Sequence, residues 1–337
     1  MRKRLLWLYA ALIAGNLGAW AWALVAFHDY PVLLGTAFLA WSFGLRHAVD
    51  ADHIAAIDNV TRNLMQRGER PVGVGFWFSL GHATVVVAAS VVVALAAGAI
   101  QDRFPEFRAL GGLVGTAVSV LFLFAVAAAN CVVLVAVWRA FRAARRGVAP
   151  DADDLEHFLA RRGLLGRLFR PLFRLIGKSW HMYPLGLLFG LGFDTATEIA
   201  LLGIAAAEAA KGLPVASILI FPALFTAGMS LIDTTDSVLM VGAYGWAFVK
   251  PLRKLYYNLT VTLVSVLVAV AVGGIEALGL VADRLNLAGP FWELIARLND
   301  HFAGLGYLVI AVFALSWLVS ALVWRLRRFG ELDAVEG

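Results

Sequence analysis

The stretch "PVLLGTAFLAWSFGLRHAVDADHIAAIDN", residues 31–59, starts as an unbroken apolar run and then places His47, Asp50, Asp52, His53 and Asp58 close together. At about 1.5 Å per residue, His47 lies roughly 22 Å along a helix that starts near residue 32. That is well inside a hydrocarbon layer about 30 Å thick. A charged side chain at such depth costs several kcal/mol unless it faces a partner or a water-filled cavity, so these residues are candidates for a transport path.

The rest of the chain supports a membrane setting. Of 337 residues, 61% are hydrophobic and 15% charged, with a mean hydropathy of +0.81; soluble domains carry about 25% charged residues. Apolar tracts of spanning length fall near 5–27, 32–60, 72–98, 110–138, 181–207, 214–243, 256–281 and 303–324. The runs are continuous and rich in Leu, Ala and Val, as in helices, and do not alternate as barrel strands do. The expected fold is therefore an all-α integral membrane protein of about eight transmembrane helices, residues 1–337 forming a single membrane domain. The first tract follows "MRKR" but is longer than a signal-peptide core and is read as helix 1.

Most Lys and Arg fall in "MRKR", "RNLMQRGER" (62–70), the segment 139–178, Lys250, Arg253, Lys254 and "RLRR". Arg103, Arg108, Lys211, Arg284 and Arg297 lie on the other side, an asymmetry that predicts both termini in the cytoplasm. The net charge of +5 thus reflects topology and anionic lipid, and calls for no nucleic acid. The single cysteine, Cys131, excludes an internal disulfide and a multi-thiolate site. "GKS" at 177–179 lacks the upstream glycine and the strand of a phosphate-binding loop, so the chain carries no nucleotide engine, and no ATPase subunit or cofactor is signalled. The loop 139–180 is cytoplasmic, with an acidic stretch "DADDLEH" read as a solvated helix start and an amphipathic "RLFRPLFRLIGKSW". Residues 282–302 read as a short interfacial helix, with His28 and His301 as boundary residues.

Two internal echoes stand out. "FGLRHAVDADHIAAI" (43–57) resembles "FGLGFDTATEIALLGI" (189–204), and "SLGHATVV" in helix 3 shares polar placement with "TAGMSLIDTTDSVLM" in helix 6. Pairing helices 2 and 3 with 5 and 6 is an offset of three, which reverses direction across the membrane and points to an inverted repeat.

At about 100° per residue, His47, Asp50 and Asp58 share one face and His53 lies about 60° beyond Asp50, so His47, Asp50 and His53 can border one cavity. Asp52 points about 140° from His47 in a regular helix, so either the helix is distorted there or Asp52 orients an imidazole from behind. His82 in helix 3, Asp194 and Glu198 (i, i+4) in helix 5, and Asp233 and Asp236 (i, i+3) in helix 6 lie at comparable depth. These carboxylates outnumber Arg46, the one cation assigned within a span, so a cation is missing from the sequence. Imidazole with carboxylate suits Ni²⁺, Co²⁺, Zn²⁺, Fe²⁺ or Mn²⁺, whereas the lack of thiolates argues against Cu⁺ and the histidines against a dedicated Mg²⁺ or Ca²⁺ cage. A proton relay competes with metal handling, and the two are compatible. No HExxH motif supports a catalytic zinc site, and the chain is not expected to be an enzyme.

"RHAVDADHIAAIDN", with its His-x4-Asp-His core, "LGHATVV", "LGFDTATE" and "GMSLIDTTDS" together resemble the signatures of the nickel/cobalt transporter family, in order and over essentially the whole chain. Ala83 stands where some members have serine. The resemblance implies eight helices and secondary uptake of Ni²⁺ and/or Co²⁺ across the cytoplasmic membrane, with His47, Asp52 and His53 central to metal handling. The predicted metal-handling set is His47, Asp50, Asp52, His53, His82, Asp194, Glu198, Asp233 and Asp236. An exporter with the same site, or a membrane metal sensor or scaffold built on the 139–180 loop, are the alternatives. The sequence carries no signal for oligomeric state.

Overall fold

The structure, a computed structural model, describes residues 2–95, 104–144, 177–192, 196–247 and 251–326. Among these there are helices and turns and no strand. In chain order the helices are α1 (Arg2–Ala26), α2 (Pro31–His47), α3 (Ala51–Gln66), α4 (Val74–Leu95), α5 (Phe104–Ala144), α6 (Met182–Phe189), α7 (Ala196–Ala210), α8 (Val215–Ile218), α9 (Ile220–Ala247), α10 (Pro251–Leu285), α11 (Pro290–Asp300) and α12 (Phe302–Leu326). Large apolar side chains such as Leu6, Trp7, Val25, Val32, Leu239 and Tyr307 are exposed, the surface of a protein whose solvent is lipid. The chain is an all-α membrane protein.

Four described spans are long and apolar enough to cross a bilayer: Arg2–Ala26, Val74–Leu95, Val215–Gly245 and Leu259–Leu285. The bent pairs Pro31–His47 with Ala51–Gln66 (51°) and Pro290–Asp300 with Gly304–Ser316 (79°) raise the count to six at most among the described residues. The tract at 110–138 contributes the apolar piece Thr116–Ala128, and residues 193–195 of the tract at 181–207 lie outside the described residues. The loop 145–176, with its acidic and amphipathic stretches, also lies outside them.

The expected helix 2 is thus two helices. α2 starts on Pro31, which tolerates the first helical position because its missing N–H has no partner there. It ends at His47, Ala48 to Asp50 form a turn, and Asp50 is extended (ψ 145°) as it opens α3. The Ile54 N–H bonds to the Asp50 carbonyl at 3.2 Å, the first intrahelical bond of α3. α12 crosses the break so closely that a Cβ on Gly306 would overlap the Val49 carbonyl oxygen.

Two helix pairs repeat one arrangement. α2 packs along α9, and α6 packs along α4. In the first pair a Cβ on Gly44 would overlap the Phe225 carbonyl, and one on Gly228 would come within 2.7 Å of the Trp41 carbonyl. In the second, Gly81 and Gly186 face the carbonyls of Tyr183 and Phe78 in the same way. Small residues let helix backbones approach this closely where lipid supplies no hydrophobic drive. Gly81 and Gly228 hold equivalent places in "SLGHATVV" and "TAGMSLID". The second broken helix follows suit: α6 tightens into a 3₁₀ turn at Gly190–Gly192 before α7 opens at Ala196. α1 braces α9 through Tyr9 Oη to Thr235 Oγ1 (3.2 Å) and Asn16 Nδ2 to the Ala227 carbonyl (3.1 Å).

One sequence expectation needs correction. Arg62, counted with the loop "RNLMQRGER", lies inside α3, which runs on to Gln66, and is 1% exposed. Its guanidinium finds neutral acceptors on α3 and α10, so burial is tolerated. Arg46 lies in the last turn of α2 and is exposed, whereas Asp52 is half-buried.

Candidate metal centre

The break between α2 and α3 turns His47 and His53 toward each other, and α4 supplies His82 from across the bundle. The three rings form a nearly equilateral triangle, with centroids 4.7 Å (His47–His53), 4.8 Å (His47–His82) and 4.9 Å (His53–His82) apart. One ring nitrogen from each lies within 4.8 Å of the others. All three side chains are buried. Phe225 lies against His47 and Phe78 edge-on against His53, walling the triangle with apolar rings.

Carboxylates orient the imidazoles. His47 Nδ1 donates to Asp50 Oδ2 at 2.9 Å and has Thr197 Oγ1 at 3.3 Å, which leaves the Nε2 lone pair turned into the cluster. His82 Nε2 lies 3.0 Å from His47 Nε2 and 2.8 Å from Glu198 Oε1, and that oxygen lies 3.8 Å from His47 Nε2. With metal–nitrogen bonds of about 2.1 Å, ligand atoms about one ion sit roughly 3.0 Å apart at right angles and roughly 3.4 Å apart at tetrahedral angles. The spacing of these three atoms is that of ligands on one ion.

His53 Nδ1 faces Asp233 Oδ1 at 3.5 Å. His53 Nε2, His82 Nδ1 and Asp233 Oδ2 are buried without a hydrogen-bond partner. Buried polar atoms are nearly always satisfied, so three orphans around one triangle mark a place built for something else to bind.

Local structure explains the roles of the two aspartates of "DAD". Asp50 holds the N-cap position of α3 but makes no side-chain cap bond, because its carboxylate serves His47. Asp52 accepts the His53 backbone N–H at 2.9 Å, so it fixes the first turn of α3 and the residue that carries an imidazole. Its misfit in a regular helix is thus explained by the break. The N-terminal dipole of α3 favours both carboxylates.

The structure therefore brings together His47, Asp50, His53, His82, Glu198 and Asp233, and sets Asp52 against the backbone beside them. Asp236, one turn beyond Asp233 on α9, is half-buried with Oδ2 unpartnered. Asp194 lies outside the described residues. Residues the sequence reading did not single out are Phe78 and Phe225, which look like ordinary core residues, and Arg62, Asn130, Tyr244 and Ser265, whose buried polar contacts join segments far apart in the chain.

Residues 33–323 match the family described as high-affinity nickel-transport protein (NicO). The chain is 59% identical to the high-affinity nickel transport protein of Cupriavidus necator, over 98% of this chain and 95% of that one. It is 40% identical to the high-affinity nickel-transport protein NixA of Helicobacter pylori, over 98% and 99%. It is 46% identical to the cobalt transport protein NhlF of Rhodococcus rhodochrous, over 85% and 81%. No solved structure matches the chain.

Proposed function

Because the chain belongs to the high-affinity nickel-transport family, we propose that it carries Ni²⁺ and/or Co²⁺ into the cell across the cytoplasmic membrane by secondary transport. The observation that carries this reading is the triangle of His47, His53 and His82, with Glu198 Oε1 at ligand spacing and orphaned buried nitrogens around it. The imidazoles supply the nitrogen ligands that suit late first-row ions. Glu198 completes the shell, Asp50 holds the His47 tautomer, and Asp52 keeps the first turn of α3 in place. Asp233 and Asp236 extend the polar path from this site, and Asp194 belongs to the same metal-handling set.

Alternating access follows from where the site is built. α2/α3 and α6/α7 are both interrupted, and α4 and α9 lie glycine-tight against their outer halves, so each pair can rock as a unit about the fixed ion. The chain is one membrane domain of eight spans with both termini cytoplasmic, related by an inverted repeat of helices 2–3 and 5–6. An inside-negative potential favours entry of each unit charge by about 2.3 kcal/mol per 100 mV, which suffices to drive a divalent cation inward.

The test is equilibrium binding of ⁶³Ni²⁺ to the purified chain, with counterflow of Ni²⁺ and Co²⁺ in proteoliposomes under imposed voltage and pH gradients. His47→Ala or His53→Ala is expected to abolish saturable binding and uptake. Retention of both in a correctly inserted variant overturns the site, and outward-only counterflow overturns the direction.

A further inference from the structure

α3 carries a second polar cluster, about one and a half to two and a half turns beyond His53. Asp58 is fully buried, and both its oxygens are occupied: Tyr244 of α9 donates its hydroxyl to Oδ1 and Ser265 of α10 donates to Oδ2 at 2.8 Å. Arg62, one turn on, is the largest fully buried side chain among the described residues. Its Nη1 donates to Thr262 Oγ1 of α10 (2.9 Å) and its Nη2 to Asn59 Oδ1 (3.1 Å), an oxygen that also accepts from Asn130 Nδ2 of α5 (2.7 Å). One level of the bundle thus ties α3 to α5, α9 and α10.

The charge arrangement of this tie is unusual for a structural arginine. A buried guanidinium is ordinarily matched by a bidentate carboxylate. Among the described residues Arg62 has no carboxylate within salt-bridge distance, its Nη groups go to neutral oxygens, and its Nε is unpartnered. Its charge and that of Asp58 feel each other from a distance, as do those of Asp58 and Asp236. Asp236, on the way from Asp233, leaves Oδ2 buried and unpartnered. Beyond the histidines, α9 thus carries Asp236, and α3 carries Asp58 and then the fixed positive charge of Arg62.

We propose that Arg62 is a built-in cation at the far end of the metal path, a positioning residue that balances Asp58 while the path is empty and is repelled when a divalent ion reaches Asp58. This rests on the transport reading above. Two like charges repel strongly in a buried site, so arrival of the ion at Asp58 pushes the guanidinium off Thr262 and Asn59. Loss of the Thr262 bond loosens α3 from α10, which couples passage of the ion to opening of that end of the bundle.

The test uses the full chain with Arg62→Gln, Arg62→Lys and the double variant D58N/R62Q, comparing ⁶³Ni²⁺ binding in detergent with initial uptake rates in proteoliposomes. Arg62→Gln is expected to keep binding within about threefold of the wild type while the maximal uptake rate falls at least about tenfold. D58N/R62Q is expected to recover at least about threefold over R62Q, because removing both charges restores the balance. Arg62→Lys, which keeps the charge and loses the fork, falls between. Wild-type uptake by R62Q, or a double variant no better than R62Q, overturns the proposal. If R62Q does not insert, Thr262→Val decides, since it loosens the guanidinium and leaves its charge: a maximal rate at least about twofold lower with binding intact supports the proposal, and an unchanged rate overturns it. Absence of nickel binding by the wild type would instead remove the transport reading itself.

Discussion

At the N-terminal end of α3, His53 leaves Nε2 without a partner, and the neighbouring His82 Nδ1 and Asp233 Oδ2 are orphaned as well. Farther along the same helix, Asp58 has both oxygens hydrogen-bonded, and Asn59 both accepts from Arg62 and Asn130 and donates to the Ala55 carbonyl. Both regions are buried and polar, yet the first leaves its ligand-type atoms open, whereas in the second the Asp58 carboxylate is fully hydrogen-bonded and the Arg62 Nε is left over. A half-satisfied buried network costs more than an apolar one, so it persists where a ligand completes it. A satisfied network needs no ligand and ties helices together. The difference assigns binding to the first region and structural coupling to the second.

This contrast can be broken most severely by removing the imidazoles. His47→Ala or His53→Ala should weaken nickel binding by at least about a hundredfold, roughly 2.7 kcal/mol, with the thermal midpoint of the metal-free protein little changed. Equal loss in the metal-free midpoint would make the triangle a packing feature. The glycine contacts come next: Gly44→Ala and Gly186→Ala place a Cβ on a neighbouring carbonyl, and overpacking of this kind costs about 1–3 kcal/mol or more. Gly203→Ala, where nothing lies within 4 Å, is the control and should be neutral. Thermal unfolding in detergent distinguishes them, and equal midpoints would refute the close approach of α2 to α9 and α6 to α4.

Smaller effects sharpen the assignment. Asp50→Asn keeps the shape at His47 Nδ1 but disturbs the tautomer, and should weaken binding about 10- to 100-fold. Ser265→Ala removes one donor from Asp58 and should cost about 1 kcal/mol of stability without changing metal affinity. Its loss of affinity would join the two regions into one site. Protons compete with metal for the ring nitrogens, so affinity measured by isotope binding should fall as pH is lowered through the histidine range and saturate above it.

Much of the first region is legible in the sequence, because its spacing is local. His47, Asp50 and His53 lie within seven residues, and the failure of Asp52 to fit a regular helix marks the break that the structure places at Ala48 to Asp50. The echo between "FGLRHAVDAD" and "FGLGFDTATE" reads only as a sign of an inverted repeat. The second region is not legible. Arg62 pairs with Thr262, 200 positions away, and Asp58 with Tyr244 and Ser265, which are polar residues of ordinary apolar helices until the fold brings them to α3. Lying beside Gln66, Arg67 and Arg70, Arg62 reads as one more loop cation. Arg62 thus adds one buried cation that the sequence reading places in a loop, while the carboxylates around the histidines still outnumber the buried arginines.

The most direct test of the metal centre is X-ray absorption at the nickel edge of the purified, nickel-loaded chain. The geometry predicts a shell with two or three imidazole nitrogens at about 2.1 Å, one of which disappears in His82→Ala. A shell of oxygen alone, or one that His82→Ala leaves unchanged, would contradict it.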